Sequence, residues 1–272
     1  MSIFCSILPE ELLSSQWMKN GGVDAPNVKA MSTLSTDLSN LVAETILHHT
    51  EIKKRAAVIK QWIKIAHQCL ELNNYDGVMA IICSLNSSTI SRLRKTWDII
   101  SLKRKETLQH LQEIVEPSQN NKVLRTRLQD HVPPCLPFLG MYLTDLTFVD
   151  IGNPATKQLS LGNDADDDGT GGLTVVNFDK HTRTAKIIGE LQRFQIPYRL
   201  TEVPELQEWM SAQIQRVHDG DQGNVQVTYY RKSLLLEPRE SMPKREGEHP
   251  ASVSRPDLFG WISRGDKAPP SS

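Results

Sequence analysis

A chain of 272 residues is long enough to bury a substantial hydrophobic core in one large domain or two small ones. Its 31 basic and 32 acidic residues nearly cancel, which excludes an overall field that would attract nucleic acid or an anionic membrane. No apolar run reaches the ~18 residues of a membrane span. The four cysteines lack Cys-x-x-Cys spacing, and residues 1–13 do not resemble a secretory signal, so we expect a cytoplasmic protein.

From about residue 8 to residue 215 the pattern is predominantly helical. One set of apolar residues recurs at helical spacing and predicts a first amphipathic helix: Ile59, Trp62, Ile63, Ala66 and Leu70. A second helix is predicted over residues 76–85, closed by a polar turn at 86–88. Residues 133–137 contain three prolines and predict an extended connector, because proline disfavours a helix at and before its position.

The segment 152–154, with the sequence GNP, ends the next predicted helical run. Further along, Ile187, Leu191 and Phe194 form an apolar stripe, with Ile188 at its edge. Alternating strand patterns are scarce, and residues 225–230 are the only short candidate. These patterns predict an all-α protein.

An acidic, glycine-rich stretch lies within residues 156–174 and is predicted to be an exposed loop. Asp164, Asp166, Asp168 and Gly169 match the first half of an EF-hand calcium loop. The twelfth position of that loop is Val175, where a bidentate glutamate is needed. The solvated loop is therefore the better interpretation. Residues 241–272, rich in Pro, Ser, Gly, Lys and Arg, are predicted to be a disordered tail.

Motifs for covalent chemistry are absent from the sequence. There is no phosphate-binding Gly-x-x-x-x-Gly-Lys-Ser/Thr loop, no Gly-x-Ser-x-Gly and no His-Glu-x-x-His. We therefore expect no catalytic residues, no metal and no cofactor. A helical protein of this kind more often works by binding.

Several short motifs occur in a characteristic order. They are RAAV (55–58), ELNNYDG (71–77), LNSSTISRL (85–93), TW (96–97), PCLPFLGMYLTDL (134–146), GNP (152–154), NFDK (177–180), FQIPY (194–198) and KSLLLEPR (232–239). Together they resemble the catalytic domain of the Ras-type guanine-nucleotide exchange factors, the family of Son of sevenless and its fungal relatives. The resemblance runs from about residue 7 to residue 217, with an extension to 240.

The resemblance implies a single bowl-shaped, multi-helix domain over residues 1–240, from which a helical hairpin protrudes. In the family, the hairpin pushes aside one switch segment of a Ras-like small GTPase and the bowl holds the other, which releases GDP without covalent chemistry. The implied partner is that GTPase, nucleotide-free or GDP-bound. We expect no nucleic-acid partner and no direct membrane insertion, and recruitment to the plasma membrane stays open. The alternative function is a non-exchanging helical scaffold that only binds a GTPase or another protein.

By resemblance, the hairpin consists of residues 138–151 and 177–195. Many family members carry an apolar residue and, four positions later, an acid just before the Gly-Asn-Pro turn. The matching positions here are Thr147 and Ile151, and Asp150 is one place off. Either Asp150 substitutes for the acid, or the hairpin opens the site by bulk alone. We favour the second, because a shift of one residue turns a side chain by ~100°.

Other positions match the family's GTPase contacts: Thr36, Met79, Asn86, Ser91, Asn121 and Arg183. Three of them have an alternative, purely structural interpretation: Asn86 could be a helix cap, Met79 a core residue and Arg183 a solvated charge. The resemblance also implies a set of core side chains that hold the hairpin's angle: Trp97, Phe138, Tyr142, Leu143, Ile188 and Phe194. The family's short helical lead-in and its bracing helical domain have no match in this sequence.

Overall fold

The computed structural model describes residues 1–160, 172–220 and 224–239. Within them the helices are α1 (Ser2–Cys5), α2 (Pro26–Leu47), α3 (Ile52–Glu71), α4 (Tyr75–Asn86), α5 (Ser88–Ser91), α6 (Arg94–Asp98), α7 (Leu102–Ile114), α8 (Ser118–Gln129), α9 (Leu139–Gly152), α10 (Phe178–Gln192), α11 (Pro204–Asp219) and α12 (Val225–Leu236). Two 3-10 segments, Pro9–Met18 and Asn20–Gly22, precede α2. The all-α prediction is confirmed. None of the described helices is both long and apolar enough to cross a bilayer.

The helix α4 lies at the centre of the fold. Ten of its twelve residues are buried, and it packs against α2 on one side and α3 on the other. The predicted stripe on α3 is confirmed, because Ile59, Trp62, Ile63 and Ala66 are all buried. One continuous hydrophobic cluster extends from Phe4 near the N-terminus to Tyr229 on α12. The bowl shape of this body stays a prediction.

The proline-rich connector joins the centre of the fold to the hairpin. The backbone amides of Tyr75 and Asp76 donate to the carbonyl of Leu136 at 2.9 and 3.3 Å, and the Leu136 amide donates to the Asn73 carbonyl at 3.0 Å. These bonds form an isolated bridge of β type, which confirms the extended conformation at Leu136. Pro133 and Pro134 form a bend instead, and no residue of 133–137 is helical. The start of α9 is consequently held beside the start of α4.

The helices α9 and α10 pack against each other and form the predicted hairpin. Its far end is not simply a loop. Strands β1 (Thr156–Ser160) and β2 (Gly172–Val176) pair antiparallel, with Thr156 opposite Val176 and Ser160 opposite Gly172. The prediction of a loop over 156–174 was therefore wrong for these two segments. Residues 161–171, which hold the acidic residues considered for calcium, lie outside the described parts of the chain.

Two further predictions are corrected by the helices themselves. The face of α10 that meets α9 carries Thr184, Ile188 and Leu191, so Ile188 lies in the centre of the stripe and Ile187 at its edge. Residues 225–230 are helical, not a strand. Asn224 starts α12 by accepting a hydrogen bond from the Val227 amide, and burial of Tyr229 and Ser233 at i, i+4 spacing holds this helix on the body. The predicted tail, residues 241–272, lies outside the described part of the chain.

Both ends of the described chain are tied to the core by buried acids. Glu11 accepts hydrogen bonds from the amides of Asn27 and Val28 and so caps the N-terminus of α2. Glu237 follows α12 and forms a buried ion pair with Arg55 of α3 at 3.0 Å. Thr96 of α6 donates to the same carboxylate through its amide and its hydroxyl. The C-terminal helix is thereby fixed against α3 and α6.

Candidate GTPase-binding surface

The base of the hairpin is part of the hydrophobic core. Five of the six side chains predicted to support it are buried: Phe138, Tyr142, Leu143, Ile188 and Phe194. The sixth, Trp97, is only partly buried. Its indole donates to the Ile90 carbonyl at 2.9 Å, and neither of these residues belongs to the hairpin. The role of the five buried side chains in setting the hairpin's angle stays a prediction.

Polar bonds from the FQIPY segment fix the chain where it returns to the body after α10. The Gln195 amide group donates to the carbonyls of Phe4 and Ile7, each at 2.8 Å, and the Tyr198 hydroxyl donates to the Leu72 carbonyl at 2.6 Å. Sequence reasoning recognised this motif without assigning these bonds. The N-terminal segment and the end of α3 therefore both hold the segment that leaves the hairpin.

A bidentate ion pair links α8 to the first half of α9. The Arg125 guanidinium donates to both carboxylate oxygens of Asp145, at 2.7 and 2.9 Å, and also to the Asn120 carbonyl at 2.7 Å. Asn120 and Asn121 have φ values of +58° and +57°, a conformation that asparagine tolerates better than most residues. Arg125 thus connects the first turn of α8, which carries Asn121, to the hairpin through Asn120 and Asp145, a relation that sequence reasoning missed.

The N-terminal 3-10 segment packs along one side of α9 and contacts two of the predicted GTPase-binding positions. The Ser15 hydroxyl donates to Asp150 at 2.7 Å, and Lys180 of α10 forms an ion pair with the same carboxylate at 3.2 Å. The Thr147 hydroxyl donates to the Leu143 carbonyl at 2.8 Å and lies 3.8 Å from the Met18 sulfur. The Asp150 carboxylate is thus already bound within the chain, by a hydrogen bond from Ser15 and an ion pair with Lys180.

An adjacent face of α9, at the end of the hairpin, presents exposed apolar side chains. Ile151 is 79% exposed and Phe148, one turn earlier on the same helix face, is 68% exposed. Phe178 and Val176, at the start of α10 and the end of β2, are exposed as well. Buried Asn177 between them bonds to the carbonyls of Pro154 and Ala155, so all four lie at one end of the hairpin. We call these four residues the hairpin apolar surface.

Asn86 is the last residue of α4, and its side chain is exposed. Its carboxamide oxygen accepts a hydrogen bond from Gln112 of α7, while the adjacent Ser87 supplies the cap of α5. The cap alternative for Asn86 is therefore not supported by its side-chain bonds. Thr36 and Ser91 are exposed on neighbouring helices, α2 and α5. These three residues are available to a partner on the body of the domain.

Two more of the predicted contact positions, Met79 and Arg183, differ from each other in exposure. Met79 is only 6% exposed and belongs to the hydrophobic cluster, which supports its core alternative. Arg183 is exposed on α10, and its guanidinium has no hydrogen-bond or ion-pair partner among the described residues. It is compatible with a solvated charge and with a contact to a partner.

The side chain of Asp76, in the first turn of α4, is a buried carboxyl group that faces α2. Asp76 accepts a hydrogen bond of 2.5 Å from the Ser35 hydroxyl. Burial raises the pKa of Asp76 to about 6, although the bonds from Ser35 and the Leu139 amide act in the opposite direction. In the described part of the chain, no three His, Cys, Asp or Glu side chains are grouped so that they could hold a metal ion.

Comparison with known proteins identifies relatives over most of the chain. A family profile described as the RasGEF domain matches residues 1–182. The chain is 37% identical over 239 residues to Ras-specific guanine nucleotide-releasing factor 2 of Danio rerio, covering 87% of this chain and 18% of that protein. It is 38% identical over 243 residues to Ras guanine nucleotide exchange factor A of Dictyostelium discoideum, covering 88% and 38%.

A fungal relative is also found. Cell division control protein 25 of Candida albicans is 32% identical over 247 residues, covering 88% of this chain and 17% of that protein. The chain therefore spans well under half of the length of each of these relatives.

Proposed function

Because this chain belongs to the RasGEF domain family, we propose that it promotes the release of GDP from a Ras-like small GTPase. The hairpin apolar surface is the observation that carries this proposal. Apolar side chains this exposed, on a helical pair whose base is anchored in the core, mark a surface that a partner covers. The hairpin is anchored in the core where it leaves the body and exposed where it ends, as insertion into a partner requires.

The proposed mechanism is selective binding, with no bond made or broken. A protein that binds the nucleotide-free GTPase more tightly than the GDP-bound form shifts the population towards the open state. Only the difference between the two affinities has this effect, so tight binding to both forms would release nothing. The chain would therefore act on the GDP-bound GTPase and form its stable complex with the nucleotide-free one.

Asn86 is the proposed contact on the body of the domain. The bond from Gln112 fixes its carboxamide at the end of α4 while the side chain stays exposed. A preorganised amide can bind a backbone or side-chain group of the partner with little loss of conformational entropy. Thr36 and Ser91 supply further hydroxyl groups on neighbouring helices.

Steric opening by Ile151 fits the hairpin better than phosphate mimicry by Asp150. The carboxylate of Asp150 is only 19% exposed and is already paired with Lys180 and Ser15. Breaking a partly buried ion pair to approach a partner's magnesium or phosphate site would cost binding free energy. Ile151 has no such cost, because its side chain already projects into solvent.

The experiment measures release of a fluorescent guanine nucleotide from purified Ras, Rap and Ral proteins, with the chain at micromolar concentration. We expect faster release from at least one of them. Asn86→Ala should abolish the acceleration, whereas Gln68→Ala, which removes an exposed amide from α3, should retain it. Normal exchange by Asn86→Ala would refute this contact assignment.

Two further variants separate the two hairpin mechanisms. Ile151→Ala removes bulk and should slow exchange at least tenfold, whereas Asp150→Asn keeps an acceptor for Ser15 and removes only charge. If Asp150→Asn slows exchange more than Ile151→Ala does, the carboxylate is the active group.

The alternative function is a scaffold that binds a GTPase without releasing its nucleotide. The observation in its favour is the pair Thr147 and Ile151, which departs from the apolar and acidic residues at those positions in many relatives. A stable complex with a GTPase whose nucleotide is released at the spontaneous rate would establish this alternative. We place the proposed activity in the cytoplasm, with recruitment to the plasma membrane.

A further inference from the structure

A second candidate surface lies on α6 and the first turn of α7, away from the hairpin. It carries five basic side chains, which we call the basic cluster: Arg94, Lys95, Lys103, Arg104 and Lys105. Arg94, Lys95 and Lys103 are exposed, and Arg104 and Lys105 are partly exposed. None of the five forms an ion pair with a residue in the described parts of the chain.

The charge of this region differs from that of the chain as a whole. Residues 92–105 contain six basic residues and one acid, Asp98, so their net charge is +5, whereas the whole chain carries −1. Glu106 is the next acid along α7. Arg92 is used internally, since its guanidinium donates to the Ser233 carbonyl at 2.7 Å. A near-neutral chain thus has a locally positive surface, whose field acts within about a Debye length.

Uncovered apolar side chains lie among these charges. Leu102, the first residue of α7, is 71% exposed, and Ile99 is 44% exposed, while Ile100 between them is buried and anchors the segment. A leucine surrounded by lysine and arginine suits the boundary between water and hydrocarbon, because the long basic side chains reach outward while the apolar group enters.

Other polyanions fit this surface less well. Binding of single-stranded nucleic acid depends on aromatic side chains on which bases stack. Trp97, the one aromatic residue within residues 92–105, is partly buried and packs against the core. The positive charges would also attract an acidic protein. Acidic groups alone, however, provide no apolar pocket for Leu102. We propose that the basic cluster binds the surface of a membrane that contains anionic lipids, with Leu102 entering the headgroup boundary.

The position of the cluster is compatible with simultaneous GTPase binding. The other end of α7 carries Gln112, which holds Asn86. Ten residues separate Leu102 from Gln112, which is about 15 Å along a helix. The membrane contact and the proposed GTPase contact therefore lie at opposite ends of one helix. The membrane contact is peripheral and does not depend on nucleotide exchange, so its test is separate from that of the proposed function.

The test is co-sedimentation of the full chain with sucrose-loaded vesicles at 0.1 M salt. One set of vesicles is phosphatidylcholine alone and the other contains phosphatidylserine at about one third. Lys103→Ser/Lys105→Ser removes two charges from the cluster, and Leu102→Ser removes the apolar group. Lys64→Ser/Lys186→Ser, at exposed positions on α3 and α10, is the matched control for net charge. Circular dichroism and thermal unfolding check that each variant is folded.

We expect the chain to bind the anionic vesicles and not the neutral ones. Each basic residue near an anionic surface contributes about fivefold in affinity, so the double variant should lose about 25-fold. Leu102→Ser should lose several-fold, and the control should be less affected than either. Absence of binding to anionic vesicles, or an equal loss in the control and the double variant, would overturn the proposal. Tight binding to single-stranded RNA or an acidic peptide in place of vesicles would assign the surface to that partner instead.

Discussion

Replacing Gly140 with alanine tests how Phe138 fixes the start of the hairpin. Gly140 is buried in the first turn of α9, two residues after Phe138, the residue at its N-cap. A β-carbon added to Gly140 would lie 2.5 Å from Cζ of the Phe138 ring and 3.0 Å from Cε2. The glycine is therefore needed for the ring to lie against the helix backbone, and not for an unusual backbone angle.

The expected effect depends on which residue occupies position 138. In the native chain the added methyl group forces the buried ring to move, which costs about 1–3 kcal/mol of unfolding free energy. Phe138→Ala alone should cost about 3–5 kcal/mol, because it leaves a cavity in the core. Once the ring is gone, Gly140→Ala should stabilise the protein by up to about 1 kcal/mol, since alanine has the higher helix propensity. The two substitutions should therefore be coupled by about 1–4 kcal/mol, the difference between the effects of Gly140→Ala in the two backgrounds.

Urea unfolding of the four proteins in this cycle, followed by circular dichroism, measures the coupling. Phe138→Leu serves as a milder background in which the fold is retained if Phe138→Ala is too unstable. Nucleotide release should fall in Gly140→Ala and partly recover in the double variant if the ring sets the hairpin's angle. An equal cost of Gly140→Ala in both backgrounds would refute the contact and the reasoning built on it.

Three further predictions concern the polar contacts of the fold. Asp76→Asn should remove a pH dependence of the free energy of unfolding, measured by urea unfolding. Because burial raises the pKa of Asp76 to about 6, the native protein should lose up to about 3 kcal/mol of this free energy, relative to the variant, as the pH rises from 4 to 7. Glu237→Gln should cost about 3 kcal/mol because it leaves Arg55 buried without its counter-charge, whereas Glu208→Gln on exposed α11 should cost almost nothing. Bonds to Thr96 and Arg55 outweigh burial and lower the pKa of Glu237, so its contribution should be lost as pH falls below about 4.5. Ser15→Ala should cost about 1 kcal/mol through Asp150, and Ser14→Ala, at a similar positive φ and without that bond, should cost less.

The sequence alone determined the class of fold and most of its helices. The stripe on α3, the proline-rich connector and the Gly-Asn-Pro end of α9 follow from periodicity and from proline, which act over a few residues. The order and spacing of the short motifs also indicated the family, because each motif is a run of consecutive residues. These features are local, so a single sequence records them directly.

Where the local sequence pattern is ambiguous, contacts with the rest of the fold determine the secondary structure. The alternation of residues 225–230 suits a strand, yet burial of Tyr229 and Ser233 against the body makes this segment the helix α12. The strands β1 and β2 stabilise each other through pairing between segments about 16 residues apart, and neither segment predicts a strand by itself.

Long-range pairing of polar groups was decided only by the tertiary structure. Glu237 meets Arg55 across 182 positions, and Asp150 meets Ser15 across 135 positions. No spacing rule connects such residues, because their contact depends on how whole helices are placed. The sequence therefore indicated that Thr147, Asp150 and Ile151 belong to the hairpin. Only the packing of the N-terminal segment along α9 decided that Asp150 is engaged internally and that Ile151 is left facing solvent.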